Sequence, residues 1–373
     1  MLRNPPPAVA GFAAETGAAS RILVVEVAGL GDLVHSLPAM WSIRTTYPHA
    51  ELHCLVRQEY APLLVLVPWI DRVWPYRRGR GLDPRFAVDL AARLRRQRFD
   101  LAVDLMGSDR ASVAAWLSGA PRRLVRRPGV RRVRLAWRWA ATDLVSWPFD
   151  GAPMYQQRWS ALAQAGIASP EARFELSGAC SGLSSPTDAT PGPLIHVSPF
   201  TRRTPKELPP SQLADVLHGL RARLPDARFV LSCAAGLRER GALDALLATL
   251  QFEPWRVVRG DIDVAALFEL IAGADLHLSG DTGSMHLAWL AGTPSVSWMS
   301  SLGNLRAWAP VGPRHRVVCS GAPAGRFLAG IATDEVVAAS VELVQGRHRV
   351  ERAPQAFIAA RAGGAHDEGL PPR

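Results

Sequence analysis

A short β-branched run, RILVVEV (21–27), passes directly into the glycine-bearing turn AGLGD (28–32), and a helical apolar pattern follows at Leu33, Leu37, Met40, Trp41 and Ile43. That order marks a strand feeding a crossover helix. The pattern recurs. Strands are expected at ELHCLV (51–56) and FDLAVDL (99–105), with helices at 84–97 and 108–118. The unpatterned, Pro/Gly-rich stretch SGLSSPTDATPGP (181–193) then interrupts the alternation. Beyond it the alternation restarts: strands at LIHVS (194–198), ARFVLSC (227–233), DLHLS (275–279) and PSVSW (294–298), with helices at 209–224, 236–250, 263–272, from about 283, and at 333–345. Repeated βα units require parallel sheets covered on both faces by helices. The expected fold class is therefore α/β, two Rossmann-like domains whose sheets face each other across a cleft. The expected divisions are a flexible N-terminal tail (1–20), an N-terminal domain (21–180), a linker (181–193), a C-terminal domain (194–345) and a C-terminal tail (346–373) in which QAFIAARA (355–362) is a candidate helix.

At 373 residues and 48% hydrophobic, the chain has the material for two cores. Its formal charge of +10 favours an anionic partner. Cys54, Cys180, Cys233 and Cys319 form no CxxC pair, which disfavours a local zinc site and suits a reducing cytoplasm. No apolar run approaches the roughly 18 residues of a membrane span, and the N-terminus lacks the order of a signal peptide. A cytoplasmic protein is expected, at most touching a membrane surface. No zinc-finger spacing or RNP-type aromatic motif supports nucleic-acid binding.

In open parallel sheets ligands bind beyond the carboxyl ends of the strands, so the loops there are the places to search. The first is VAGLGDLVHSLPA (27–39). Gly29 and Gly31 permit a tight turn and a close approach to the backbone, although a full GxGxxG is absent because Val34 holds the third position. Asp32 is either a helix cap or a carboxylate placed to take a proton from a hydroxyl. The second loop, SPFTRRTPKELPP (198–210), contains Lys206, the single lysine among 43 Lys and Arg residues. Lysine is a compact point charge where arginine is a wide fork. With Ser198, Thr201 and Thr204 it forms a set suited to a diphosphate; a solvated basic loop is the plainer reading. The third loop, LSGDTGSMHLAWLAGTP (278–294), opens a helix at GDTG, where amides near Thr282 and Gly283 and the helix dipole favour a phosphate. Asp281 there suits sugar hydroxyls or a cap, and His286 lies one turn into the helix.

AGLGDLVHSLPA, the lysine loop and GDTGSMHLAWLAGTPSV, in that order, resemble glycosyltransferase family 9, the ADP-heptose:lipopolysaccharide heptosyltransferases, over residues 21–345. The resemblance implies the GT-B fold and an inverting, metal-independent sugar transfer, with no cofactor and a nucleotide sugar, ADP-heptose, as co-substrate. The partner would be a lipid-linked anionic glycan at the cytoplasmic face of the inner membrane. By the same resemblance Asp32 matches the general base and Lys206 the lysine beside the donor diphosphate. Gly31, Ser198, Asp281, Thr282, Gly283 and His286 fall on the donor-binding motifs, and Glu239 matches the acidic residue at the nucleotide ribose. This chain departs from the family pattern at Glu26, where a basic or small residue is common, at Leu208-Pro209 in place of Trp-Pro, and at MSSLGNLRAWAP (299–310). No DxD triplet directly follows any of these expected strands, in agreement with chemistry that needs no metal.

The segment PRRLVRRPGVRRVRLAWRW (121–139) holds eight arginines among Val, Leu and Trp. Arg122, Arg123, Arg126, Arg127, Arg131 and Arg132 are candidates for a surface meeting a phosphorylated lipid or an anionic leaflet; a solvated basic loop is the alternative. Other classes stay in view: a binding protein that has lost the chemistry, which the carboxylate at Asp32 argues against, and an NAD-dependent oxidoreductase, which the divided glycines argue against. Another nucleotide sugar or acceptor within the transferases is also open.

Overall fold

The computed structural model describes residues 9, 11–77, 84–127, 139–146, 151–172, 192–300, 305–320, 325 and 327–346. Among them the first half contributes β1 (Arg21–Glu26), β2 (Glu51–Arg57), β3 (Arg72–Tyr76), β4 (Leu101–Asp104), β5 (Arg122–Arg126) and β6 (Asp143–Val145). The second contributes β7 (Leu194–Ser198), β8 (Arg228–Cys233), β9 (Arg256–Arg259), β10 (Leu276–Gly280), β11 (Ser295–Ser300) and β12 (His315–Ser320). Every adjacent pair is parallel.

The first sheet has the order β3-β2-β1-β4-β5-β6, and the second has the same order one half later, β9-β8-β7-β10-β11-β12. This is the Rossmann arrangement, and its strand order reverses between β1 and β4 and again between β7 and β10. Successive crossovers leave those strand pairs on opposite sides, which opens a crevice at their carboxyl ends. The loops at 27–29, 199–203 and 281–282 lie at these two points. The central strands are apolar on both faces, as helix-covered sheets require: Ile22, Leu23, Val24 and Val25 of β1 are fully buried.

The helix Leu30–Thr46 is buried on almost every side, from Leu33 through Met40 and at Ser42 and Ile43. Its surroundings explain that. Sheet residues cover one flank, and the core around Leu33, Val34 and Leu37 also takes in Val264, Phe268, Ile271, Leu287, Trp289 and Leu290 from the second half. The two halves therefore share one hydrophobic cluster. The second half has its own core around Phe229, Leu278 and Trp298. A polar row crosses that sheet: His277 pairs in register with His196 and with Ser295, and Ser295 with His315. His196 and His277 meet through their Nδ1 atoms at 2.9 Å, and Ser295 Oγ lies 2.8 Å from His315 Nδ1.

The stretch expected as an N-terminal tail is corrected within its described part. Phe12 is buried in the first core, and the Thr16 and Tyr47 hydroxyls share a 2.6 Å hydrogen bond. An aromatic ring in reach of an apolar gap docks rather than remaining in water. Most of the 181–193 linker and the tail after Gly346 lie outside the described residues, as do Arg131 and Arg132.

Candidate active site

Asp32 sits in the first turn of the helix Leu30–Thr46, whose N-cap is Gly29. Its Oδ2 accepts the Gly29 N–H at 3.2 Å, so the cap reading describes one oxygen. The other oxygen, Oδ1, accepts from Arg158 Nη2 at 2.6 Å. About a quarter of the side chain (27%) stays exposed to the cleft, whereas that of Arg158 is 2% exposed. Arg158 Nη1 also donates to the Asp32 carbonyl oxygen and, at 2.5 Å, to Ser36 Oγ. Behind them Glu26 closes β1 with its side chain wholly buried, 3.6 Å from the Arg158 guanidinium and hydrogen-bonded by the Ser36 hydroxyl. Burial pushes the Glu26 carboxyl up to about 7, Arg158 opposing the rise and Asp32 adding to it. The signals for Glu26 were its charge at the end of an apolar strand and its departure from the family pattern. Nothing in the sequence pointed to Arg158, which lies on the helix Met154–Ala163.

In the second half, Lys206 ends a single 3-10 turn (Thr204–Lys206) and forms an ion pair with Asp281. Gly280 makes this meeting possible. A Cβ there would stand 2.9 Å from Trp298 Nε1, closer than side chains tolerate, and crowd the Lys206 carbonyl at 3.0 Å. The loop is held from behind by Glu207, which accepts the Thr201 N–H at 2.6 Å and receives two bonds from Arg238 at 2.9 and 3.0 Å. Thr282 is the N-cap of the helix Gly283–Ala291 and makes no side-chain capping bond. The buried Ser284 hydroxyl in its first turn has no protein partner among the described residues. Such a helix start presents N–H groups and positive dipole to an anion.

The two loops meet at His286. Its Nδ1 lies 3.2 Å from His35 Nε2 on the opposite half. The ring rests so tightly on Gly31 that a Cβ there would fall 2.5 Å from it, and a Cβ on Gly283 would fall 2.9 Å from Leu30. Only glycine admits this approach. Burial lowers the His286 pKa to about 4, with Asp281 and Asp32 opposing and Lys206 contributing. One ring thus feels the carboxylate of the first half and both members of the ion pair of the second. His35 is depressed well below its usual value by burial, then by His286 and Arg158. Trp289 and Trp308 enclose it, each 5.1 Å away between ring centroids. The Arg202 Nη2 atom, from the lysine loop, reaches to 4.0 Å from the Gly29 Cβ position.

Two other expected residues stand at the carboxyl ends of β7 and β8. Ser198 is the last residue of β7, in register with Ser279 of β10. Glu239 stands at the carboxyl end of β8, where its carboxylate accepts the Ala234 N–H at 2.9 Å and contacts Arg238 at 3.3 Å. The arginine surface is revised. Arg122 is tied to Asp143 and Glu15, Arg123 donates to the carbonyl oxygens of Ala140 and Ala120, and Arg126 donates to Met106. These side chains fasten β5 to its neighbours, since a guanidinium between adjacent strand ends finds carbonyls and carboxylates there. Arg127 continues the strand pairing through its N–H to Val145. Among the described residues, no helix is long and apolar enough to cross a membrane.

Two Rossmann-ordered sheets with polar residues converging between their carboxyl ends are the architecture of GT-B glycosyltransferases. The solved Escherichia coli ADP-heptose lipopolysaccharide heptosyltransferase II matches this chain with a TM-score of 0.71 at 19% identity, over 88% of this chain and 99% of that one. The Escherichia coli heptosyltransferase WaaC with ADP matches at 0.68 and 17% identity, over 85% and 97%. The sequence profile of glycosyltransferase family 9 (heptosyltransferase) matches residues 87–326, and the chain belongs to that family. A lipopolysaccharide core heptosyltransferase of Haemophilus influenzae, OpsX, is 24% identical over 285 residues, 75% of this chain and 79% of its own. The chain is accordingly a glycosyltransferase of the heptosyltransferase family.

Proposed function

We propose that the protein transfers heptose from ADP-heptose to a lipopolysaccharide core or a related lipid-linked glycan, inverting the anomeric centre and using no metal. The observation that carries this reading is the convergence at His286 of Asp32 from the first half with Lys206 and Asp281 from the second. One solved relative is an ADP-heptose heptosyltransferase and another holds ADP, which supports ADP-heptose as the donor.

The acceptor oxygen attacks the anomeric carbon from the side of Asp32, and its proton passes to that carboxylate. A carbon–oxygen bond forms as the bond to the diphosphate breaks, and the diphosphate leaves with the electron pair. Lys206 and the helix start at Thr282–Gly283 face the charge that builds on it. Donors aimed at charge that develops only in the transition state lower the barrier rather than merely tightening binding. Before donor arrives, Asp281 holds Lys206; the diphosphate then takes its place as counter-charge. Gly31 keeps the two loops in contact, Ser198 lies on the phosphate side and Glu239 on the ribose side of the donor. Arg127 and its neighbours retain an acceptor-facing role at the cytoplasmic leaflet only where their guanidinium groups stay clear of the strand contacts.

Thermal-shift titration with ADP- and UDP-sugars tests the donor. ADP-heptose is expected to raise the unfolding midpoint and to release ADP only when a lipopolysaccharide-core acceptor is added. Midpoint shifts confined to UDP-sugars would remove the donor assignment.

A further inference from the structure

The side chain that grips Asp32 hardest belongs to neither family motif. Arg158 comes from a helix 126 residues away in sequence, and one guanidinium holds both the carboxylate and the carbonyl of the same residue. A buried guanidinium is costly unless its charge is matched and its donors are satisfied. Here Asp32 and Glu26 supply the charge and Ser36 a further acceptor. Ser36 is itself locked, donating to Glu26 with its oxygen 3.0 Å from the Asp32 carbonyl. The four residues form a closed set in which Arg158 and Glu26 never reach the cleft; only Asp32 does.

We infer that Arg158 and Glu26 are positioning residues for Asp32: the buried guanidinium, anchored by Glu26 and Ser36, fixes the carboxylate in the one orientation that turns its free lone pairs toward the acceptor hydroxyl. The inference rests on the reading of Asp32 as the base. An unanchored aspartate in a first helical turn rotates to cap several N–H groups in turn. With Oδ1 on Arg158 and Oδ2 on Gly29, that freedom is gone and the proton-accepting directions are set before substrate binds.

The set also carries a charge that changes near neutrality. Glu26 faces Arg158, Asp32, Ser36 and the Ala28 N–H at 3.3 Å, and across the sheet it faces Cys54 of β2. With Glu26 protonated, Arg158 is matched by Asp32 alone. With Glu26 ionised, an extra negative charge stands behind the pair and holds the Arg158 guanidinium in place. The Glu26 side chain is thus placed to make turnover climb as pH rises through neutrality.

The test measures steady-state ADP release by the full chain from ADP-heptose and a deacylated lipopolysaccharide core, as a function of pH. The variants are Arg158→Met, Arg158→Lys, Glu26→Gln, the charge-matched double variant Glu26→Gln/Arg158→Met, and Arg158→Met combined with Asp32→Asn. Arg158→Met is expected to lower kcat on the order of a hundredfold with donor KM held within a few-fold, because a displaced base costs turnover and not donor binding. Arg158→Lys restores part of the loss. Glu26→Gln removes the neutral inflection from the kcat profile. In the Asp32→Asn background, Arg158→Met costs nothing further, as expected for residues acting as one unit. Where Arg158→Met does not fold, the charge-matched double variant supplies the same comparison. Wild-type kcat and an unchanged pH profile in the variants, or full additivity with Asp32→Asn, overturns the positioning role and leaves the base assignment intact. Near-normal turnover of Asp32→Asn alone overturns the base assignment first.

Discussion

The two sides of the cleft hold their charged residues in opposite ways. On the first half, Asp32 is clamped by a guanidinium that is 2% exposed, backed by a carboxylate that is fully buried. On the second, Lys206 and Asp281 pair at the surface of the cleft with 37% and 25% of their side chains exposed. A buried network resists rearrangement because breaking one contact strands the others. A half-exposed pair contributes little by itself and exchanges partners freely. The contrast suits the proposed reaction, in which the base stays fixed and the cation passes from a carboxylate to an incoming diphosphate.

Asp32→Ala attacks the fixed side and has the largest expected effect: turnover falls about a hundredfold or more while donor-induced thermal stabilisation persists. Loss of donor stabilisation in that variant would break the division between the sides. Lys206→Arg attacks the exchangeable side. It keeps the charge but replaces a point with a fork, so kcat is expected to drop about tenfold with smaller change in donor midpoint shift. Equal turnover would mean that shape is irrelevant there. Gly31→Ala strikes the seam between the sides, where a methyl would fall 2.5 Å from the His286 ring. Overpacking of this kind costs about 1–3 kcal/mol, read as a lower denaturant midpoint. Salt sharpens the comparison further: raising ionic strength should weaken donor binding at the exposed pair yet leave kcat at saturating donor nearly unchanged.

The smallest effect concerns acid. His196 and His315 are held at about 3 and about 4 by burial, and His277 is lowered by burial, then by His196 and His315. Folded values below the usual 6.5 mean that the unfolded chain binds the protons first. Stability from these groups is therefore complete above about pH 6.5 and is lost as pH falls toward the folded values. Urea midpoints measured down that range should decline, and His277→Asn should flatten the decline. A midpoint that stays constant would separate the histidine row from acid sensitivity.

What the sequence disclosed follows the same division. β1, β7 and β10 were legible because each is a short, largely apolar run that passes straight into a turn and a helix, and the loops after them carried Asp32, Lys206 and Asp281 in recognisable order. β5 (RRLVR), β9 (RVVR) and β12 (HRVVCS) were not, since strands toward a sheet edge keep charged residues among the apolar ones. β6 is only three residues long. At the site, the motif residues could be named but their holders could not. Arg158 earns its role solely by where the helix Met154–Ala163 lies in space, and Glu207 with Arg238 brace the lysine loop through contacts that no local spacing encodes.

The helix Gly283–Ala291 carries a mechanical consequence. Its first turn faces the cleft, while Leu287, Trp289 and Leu290 lie within the hydrophobic cluster of the opposite half. Parting the halves like a jaw would draw that plug into water. Motion along the seam leaves it dry, so substrate entry and release in this enzyme should proceed by sliding of packed helices, a shear of small amplitude.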